Sequence, residues 1–337
     1  MSELRQDIVS GDWTLLSPGR AFRPNAMDRK KPIRKPTPKS TCPFEDLKKS
    51  GEWPPVIAYP NNENWKIAVV PNKYPALTEK KKGEHSKFFK RGIYRIRTAV
   101  GAHWLLITRD HNKHFAELSA REAAQVFEVF REAHETEAKD KCVAYVTSFY
   151  NYGPGAGASI WHPHYQILSL PVVPEHTMHS IRGAREYFQK NKRCVRCDII
   201  KTERRYGARV IAENNHAIAL APYASKKPFE VSVLPKRHWP SFRETPPEAM
   251  RDVAILLQSI LRKMKAHLSD PDLNFFIHDT PLKDKESKYH HWHIEVLPRV
   301  STDAGFEFST GIIINIIDPD AAAAILRGER PRHLPQS

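Results

Sequence analysis

Between Trp161 and Leu168 polar positions recur at every second residue, so that His162, His164 and Gln166 share one face of an extended chain. Gly153, Gly155 and Gly157 stand just ahead of them. Glycines let a backbone approach an anion closely, and successive N–H groups in such a loop can cradle phosphate oxygens. A histidine beside that cradle is placed to attack phosphorus.

The same reading predicts strands over 65–70, 103–108 and 142–149, the last running into the glycine loop. Ser119 caps a helix, with Glu122 completing a capping box and Ala123, Val126, Phe127 and Phe130 forming a buried stripe. The second half repeats the plan, with strands over 216–221, 229–234 and 273–277. Thr245 is its predicted cap, Pro246 its first helical residue and Glu248 its third, ahead of the stripe Met250, Val253, Ala254 and Leu257. His291-Trp292-His293-Ile294-Glu295 then matches His162-Pro163-His164-Tyr165-Gln166. From His111 to His162 is 51 positions (162 − 111), and from His238 to His291 is 53 (291 − 238). Such spacing predicts a duplication: an N-terminal half over 1–175, a linker near 171–190, and a C-terminal half over 190–330. Residues 283–288 replace the glycine loop ahead of His293, which assigns the chemistry to the first half.

Four cysteines are too few for a disulfide scaffold in 337 residues. Cys194, Cys197, His238 and His291 have the composition of a structural zinc site, two thiolates one turn apart and two imidazoles. The first-half equivalents are Cys42, Glu45, His111 and His162, one thiolate poorer, so a second zinc there is weaker or absent. In this scheme the first histidine of each pair is a ligand and the second is free, leaving His164 anchored by its neighbour.

Hydrophobic residues make up 40% of the chain and charged ones 27%, as in ordinary globular proteins. No apolar run approaches a membrane span and the first residues lack a signal-peptide core, which sets the expectation of a cytoplasmic protein without a membrane partner. The net charge of +15 suits small anions such as nucleotides and sugar phosphates. No nucleic-acid-binding signature accompanies it, so nucleic acid is not the expected partner. Residues 1–40, rich in Arg, Lys and Pro, are expected to wrap over a core; Arg20 and Arg23 among them suit phosphate.

With the glycine loop, His-Pro-His-Tyr-Gln, Ser17-Pro18-Gly19-Arg20-Ala21-Phe22-Arg23-Pro24 and the segment from His291 to Arg299 in place, the chain resembles the galactose-1-phosphate uridylyltransferase family of the histidine-triad superfamily. The resemblance runs from about Arg5 to Arg327. It implies an α+β fold of two histidine-triad-like halves, each an antiparallel sheet with a packed helix, assembled as a homodimer. It also implies ping-pong chemistry, in which UDP-glucose donates UMP to the second histidine and a hexose 1-phosphate removes it. Carried onto this sequence, His164 is the nucleophile and Gln166 hydrogen-bonds a phosphate oxygen. Asn151, Ser159 and the amides of the glycine loop contact the phosphates, and Arg20 and Arg23 face the anionic substrate. Asn72 lies near the nucleoside, and Phe306 and Glu307 touch the sugar.

Two departures bear on substrate choice: Tyr165 is bulky where the family has a small residue, and Ser301 replaces a lysine near the sugar phosphate. The paired metal pattern and the run from Pro228 are closer to the branch containing ADP-glucose phosphorylases, whose acceptor is phosphate. A nucleoside-diphosphate-sugar phosphorylase or adenylyltransferase is therefore the alternative activity. An inactive, metal-stabilised nucleotide-binding protein is the alternative outside enzymology.

Overall fold

Ten strands form one continuous sheet in the computed structural model, which describes residues 2–22, 34–79, 86–284 and 287–330. The chain begins with β1 (Glu3–Gln6), β2 (Trp13–Leu16), the single turn α1 (Leu47–Ser50), β3 (Ile57–Tyr59) and β4 (Ile67–Pro71). A hairpin of β5 (Phe88–Arg91) and β6 (Tyr94–Arg97) precedes β7 (His103–Thr108), α2 (Ala120–Ala138), β8 (Tyr145–Tyr152) and β9 (His164–Leu170). Helices α3 (Glu175–Asn191) and α4 (Val195–Tyr206) lead to β10 (Val210–Glu213), β11 (Ala217–Leu220) and β12 (Val231–Pro235). The long α5 (Pro247–His267) is followed by β13 (Leu273–His278) and β14 (His293–Pro298). Last come α6 (Gly305–Thr310), β15 (Ile313–Asn315) and α7 (Pro319–Arg327).

The sheet order is β10-β11-β12-β14-β13-β8-β9-β7-β4-β3, antiparallel throughout, so the fold is α+β. Each half supplies five neighbouring strands in the same internal order, and β8 pairs with β13 at the seam, Tyr152 opposite Leu273 and Phe149 opposite Phe276. Helices α2 and α5 cover one face. The stripe Ala123, Val126, Phe127 and Phe130 is fully buried, as is Met250, Val253, Ala254 and Leu257. Each buried phenylalanine of this kind stabilises the fold by about 2–3 kcal/mol. The other face takes Cys42, Phe44 and Leu47 onto Ala68, Val70, Leu105 and Ile107, and α4 with Ile200 onto Ile218, Leu220 and Leu234.

Three sequence expectations need correction. The segment 171–190 is not a bare linker: it holds most of α3, whose Thr177, Ile181 and Ala184 are buried. Gly183 interrupts the periodicity because a Cβ there would lie 1.8 Å from the Val9 carbonyl oxygen, so the helix packs hard on the N-terminal turn. Helix α5 begins at Pro247 with Pro246 as its cap and no side-chain cap bond. The Thr245 hydroxyl instead accepts the Trp292 indole N–H at 2.7 Å. Finally, Tyr165 points away from the site face into the core, fully buried with ring centroids 4.6 Å from Tyr150 and 5.7 Å from Phe130. Its size is a matter of core packing, not of substrate choice.

The N-terminal hairpin of β1 and β2 takes β15 as a parallel third strand, tying both chain ends to the second half. Among the described residues no helix is long and apolar enough to cross a membrane.

Candidate active site

Strand β9 starts at His164, two residues after a bend that carries His162, and both imidazoles are buried. The His164 Nδ1–H donates to the His162 carbonyl at 2.9 Å. A carbonyl oxygen only accepts, so this bond fixes the proton on Nδ1 and leaves Nε2 with its lone pair. Burial holds the imidazole's pKa below its ordinary value, which keeps it neutral and nucleophilic at pH 7. The ring of Phe44 lies 5.3 Å away, centroid to centroid. His164 borders a cavity of about 260 Å³ whose walls include Arg34, His114, Asn151, Tyr152 and Ser159.

Two positions along the strand, Gln166 is oriented by a residue that sequence reading passed over. The Ala76 N–H donates to His103 Nδ1 at 3.0 Å, leaving the proton on Nε2, 2.9 Å from Gln166 Oε1. With its oxygen engaged, the Gln166 amide presents its NH₂ as donor. Asn72 belongs to the same cluster: its Nδ2 is 3.1 Å from His103 Nε2 and its Oδ1 accepts the Tyr74 N–H at 2.9 Å. Only the juxtaposition of β7 with β9, Leu105 opposite Gln166, reveals His103.

The glycine loop is braced from the second half. Gly155 N–H donates to Asp272 Oδ2 at 2.6 Å, and Asn274 Nδ2 donates to Asn151 Oδ1 at 2.8 Å and the Ala156 carbonyl at 2.9 Å. Arg34 completes the brace through Asp272 and Asp270 at 2.8 and 2.6 Å, its guanidinium 4.0 Å from the centroid of the Tyr152 ring. Gly153 sits at φ 85°, and a Cβ there would fall 2.0 Å from Asp272 Oδ1. The amides of Ala156, Gly157 and Ala158 turn inward to the Gly153 and Pro154 carbonyls. In this conformation the loop's N–H groups at 155–158 therefore hold the loop's own shape. His114 closes the floor, its Nδ1 2.8 Å from the Tyr150 hydroxyl, its Nε2 buried without a partner, and its pKa pushed by burial and Arg34 down to about 3.

Two clusters of metal-binding side chains flank this arrangement. Cys194, Cys197, His238 and His291 present donor atoms that all lie within 4.8 Å of one another. Cys197 Sγ is 3.5 Å from His291 Nδ1 and 3.6 Å from His238 Nδ1, matching the ~3.6 Å between S and N ligands of tetrahedral zinc. His291 Nε2–H donates to the Pro235 carbonyl at 3.0 Å, so its Nδ1 lone pair faces the thiols. The first half repeats this geometry. His162 Nε2–H donates to the Thr108 carbonyl at 2.7 Å, and its Nδ1 is 3.6 Å from Cys42 Sγ. His111 joins the group within 4.8 Å. Glu45 lies 2.9 Å from His111 Nδ1 and 3.5 Å from His162 Nδ1. The donor set of both clusters fits a zinc-sized ion.

The remaining predicted residues are scattered. Arg20 sits on the turn Pro18–Phe22 and does not line the His164 cavity; Arg23 lies outside the described residues. Phe306 and Glu307 are on α6, also away from the cavity, with Phe306 41% exposed. Arg34, Asp272 and Asn274 carry no sequence signal, because their role appears only once the seam strand β13 lies beside β8.

A family model described as the N-terminal domain of galactose-1-phosphate uridyl transferase matches residues 1–174, and a domain of unknown function, DUF4921, matches 98–327. The chain is 32% identical over 330 residues to an ADP-glucose phosphorylase of Arabidopsis thaliana, covering 96% of this chain and 92% of that one. It is 25% identical over 343 residues to a galactose-1-phosphate uridylyltransferase of Thermotoga maritima, covering 97% and 98%. The crystal structure of an Arabidopsis thaliana ADP-glucose phosphorylase with bound ADP-glucose superposes with a TM-score of 0.84 at 30% identity, covering 97% of this chain and 99% of that one.

Proposed function

Because the chain belongs to the galactose-1-phosphate uridylyltransferase family, we infer that it moves the nucleoside monophosphate of a nucleoside diphosphate sugar through a covalent intermediate on His164. The observation that carries this reading is the His164 tautomer, Nδ1–H held by the His162 carbonyl and Nε2 left to attack. In the first step Nε2 bonds to the α-phosphorus while the bond from that phosphorus to the bridging oxygen breaks. The sugar 1-phosphate leaves with the oxygen. In the second step an acceptor oxygen displaces the imidazole, restoring neutral His164. Two displacements at one centre divide a difficult transfer into easier ones. The Gln166 NH₂, aimed by His103, stabilises charge on the phosphoryl oxygens, with Asn151 and Ser159 alongside.

ADP-glucose as donor and inorganic phosphate as acceptor make the first reading, supported by the 32% identical relative and by Ser301 standing where the uridylyltransferases place a lysine. ADP and glucose 1-phosphate are then the products. UDP-glucose with a hexose 1-phosphate is the second reading, supported by the family match over 1–174 and the Thermotoga relative. Zinc held by Cys194, Cys197, His238 and His291, and by Cys42, Glu45, His111 and His162, would supply a fixed anchor in each half rather than reaction chemistry. Exposed Phe306 and Phe308 on α6 suit a homodimer in which a second copy brings Phe306 and Glu307 to the substrate.

Intact-protein mass after incubation with ADP-glucose or UDP-glucose, without acceptor, tests the reading. A gain of one nucleoside monophosphate is expected with ADP-glucose and none in His164→Ala. Release by phosphate rather than galactose 1-phosphate then fixes the acceptor. No adduct with either donor would sink the transferase reading.

A further inference from the structure

A cavity of about 630 Å³ among the described residues exceeds the one of about 260 Å³ beside His164. It lies in the second half between α4, the N-terminal turn and strands β11, β12 and β14, and its wall includes His293 and Glu295. Sheet register relates it to the catalytic region. Ser232 on β12 faces Glu295 as Leu105 on β7 faces Gln166. Two residues before each of those partners stand Glu230 and His103, and the metal motifs set Arg196 against Phe44. At these matching positions the second half carries different chemistry: a guanidinium for a phenyl ring, and two acidic side chains for the His103–Gln166 pair.

These changes remove the means of transfer. Glu295 cannot donate to a phosphoryl oxygen as an amide does, and no glycine loop precedes His293. The Nδ1 of His293 is buried without the carbonyl partner that sets the His164 tautomer. What remains is equipment for binding. No hydrogen bond or ion pair among the described residues engages the Arg196 guanidinium, although it lines the cavity. Glu295 is paired with His278 at 2.9 Å, and Glu230 takes the Lys226 and Lys227 N–H groups on one oxygen at 2.6 and 3.1 Å, leaving the other oxygen for a ligand. Burial and the Glu295 charge raise the Glu230 pKa to about 8, so its carboxyl can both donate and accept. A guanidinium without a hydrogen-bonded partner, beside a buried carboxyl with one oxygen free, leaves polar capacity that a ligand can fill.

We propose that this second cavity is a binding site for a phosphorylated sugar, its phosphate on Arg196 and its hydroxyls on Glu230 and Glu295. Guanidinium matches phosphate through paired charge-assisted bonds, and carboxyl groups accept and return hydroxyl hydrogen bonds. The site is separate from the His164 cavity and performs no transfer.

Calorimetric titration of glucose 6-phosphate into the zinc-loaded full chain tests this, because its phosphate is not on the anomeric carbon. Saturable binding of one molecule per chain is expected, weakened at least about tenfold in Arg196→Met and in Glu230→Ala and unchanged in Gln166→Ala. Zinc content is measured in parallel, since Arg196 lies between two cysteines of the metal cluster. Should Arg196→Met lose zinc, Glu230→Ala, whose residue is not a member of the metal cluster, decides. Absence of saturable binding to wild type overturns the proposal, as does binding that survives Glu230→Ala or disappears in Gln166→Ala.

Discussion

At the scale of the residue, the site depends on side chains that set the direction of others. His103 acts on Gln166 and not on the substrate, so it is a positioning residue. We expect His103→Phe to lower kcat by about tenfold to a hundredfold with KM for the donor nearly unchanged. Steady-state kinetics with a melting curve separate this from simple loss of fold, and His103→Asn, which can still donate to Gln166 Oε1, should recover part of the rate. Gly153 has a stricter role. Its φ of 85° with ψ of 160° and the 2.0 Å approach of Asp272 mean that Gly153→Ala displaces the brace, costing about 1–3 kcal/mol from the backbone alone. Thermal unfolding should show that loss, and the nucleotidyl adduct should form more slowly. The histidine pairs, the cysteines and the glycines were legible in the sequence because their spacing is local. His103 was not, since a histidine opening a strand gains meaning only from the strand beside it.

At the scale of the element, α2 was legible to its first residue. The capping box of Ser119 and Glu122 is present, and the stripe behind it is buried. Helix α3 was hidden by Gly183, whose place in a helix follows from a neighbour elsewhere in the chain. Thr245 imitated a cap because the pattern cannot tell which partner a hydroxyl will find. Asp279, at the end of β13, accepts the Phe242 and Thr280 N–H groups at 2.8 Å each and lies 3.6 Å from His134 on α2. Burial raises its pKa, but the His134 contact and these N–H donors outweigh it and the net shift is downward. A lowered carboxylate pKa contributes stability above the unfolded value, and that contribution disappears as pH falls through the folded one. Asp279→Asn should therefore cost about 3 kcal/mol at pH 7, with the gap to wild type closing on acidification below about pH 4. Denaturant unfolding across pH reads this directly; a gap that stays constant would refute it.

At the scale of the whole molecule, the second half serves the first by way of the seam. Asn274→Ala should slow adduct formation at His164 by about tenfold although the residue belongs to the other half, and rapid-quench kinetics would register the change. The two clusters proposed to hold zinc would tie the same architecture together. Chelation is expected to lower the thermal midpoint by roughly 10 °C, and Cys197→Ser to lose one equivalent of zinc by elemental analysis, with Cys42→Ser testing the other cluster separately. The duplication could be read from motif spacing, but the single sheet could not, because nothing in either half announces that β8 will pair with β13.

That seam also sets an order of events during synthesis. The glycine loop is translated long before Asp272 and Asn274 leave the ribosome, so a nascent first half has His164 but lacks the brace beneath the loop. Strand β8 waits as an open edge until β13 arrives, a pairing distant in sequence and therefore late to form. An unfinished chain is consequently exposed to association through that edge, while a finished one has covered it.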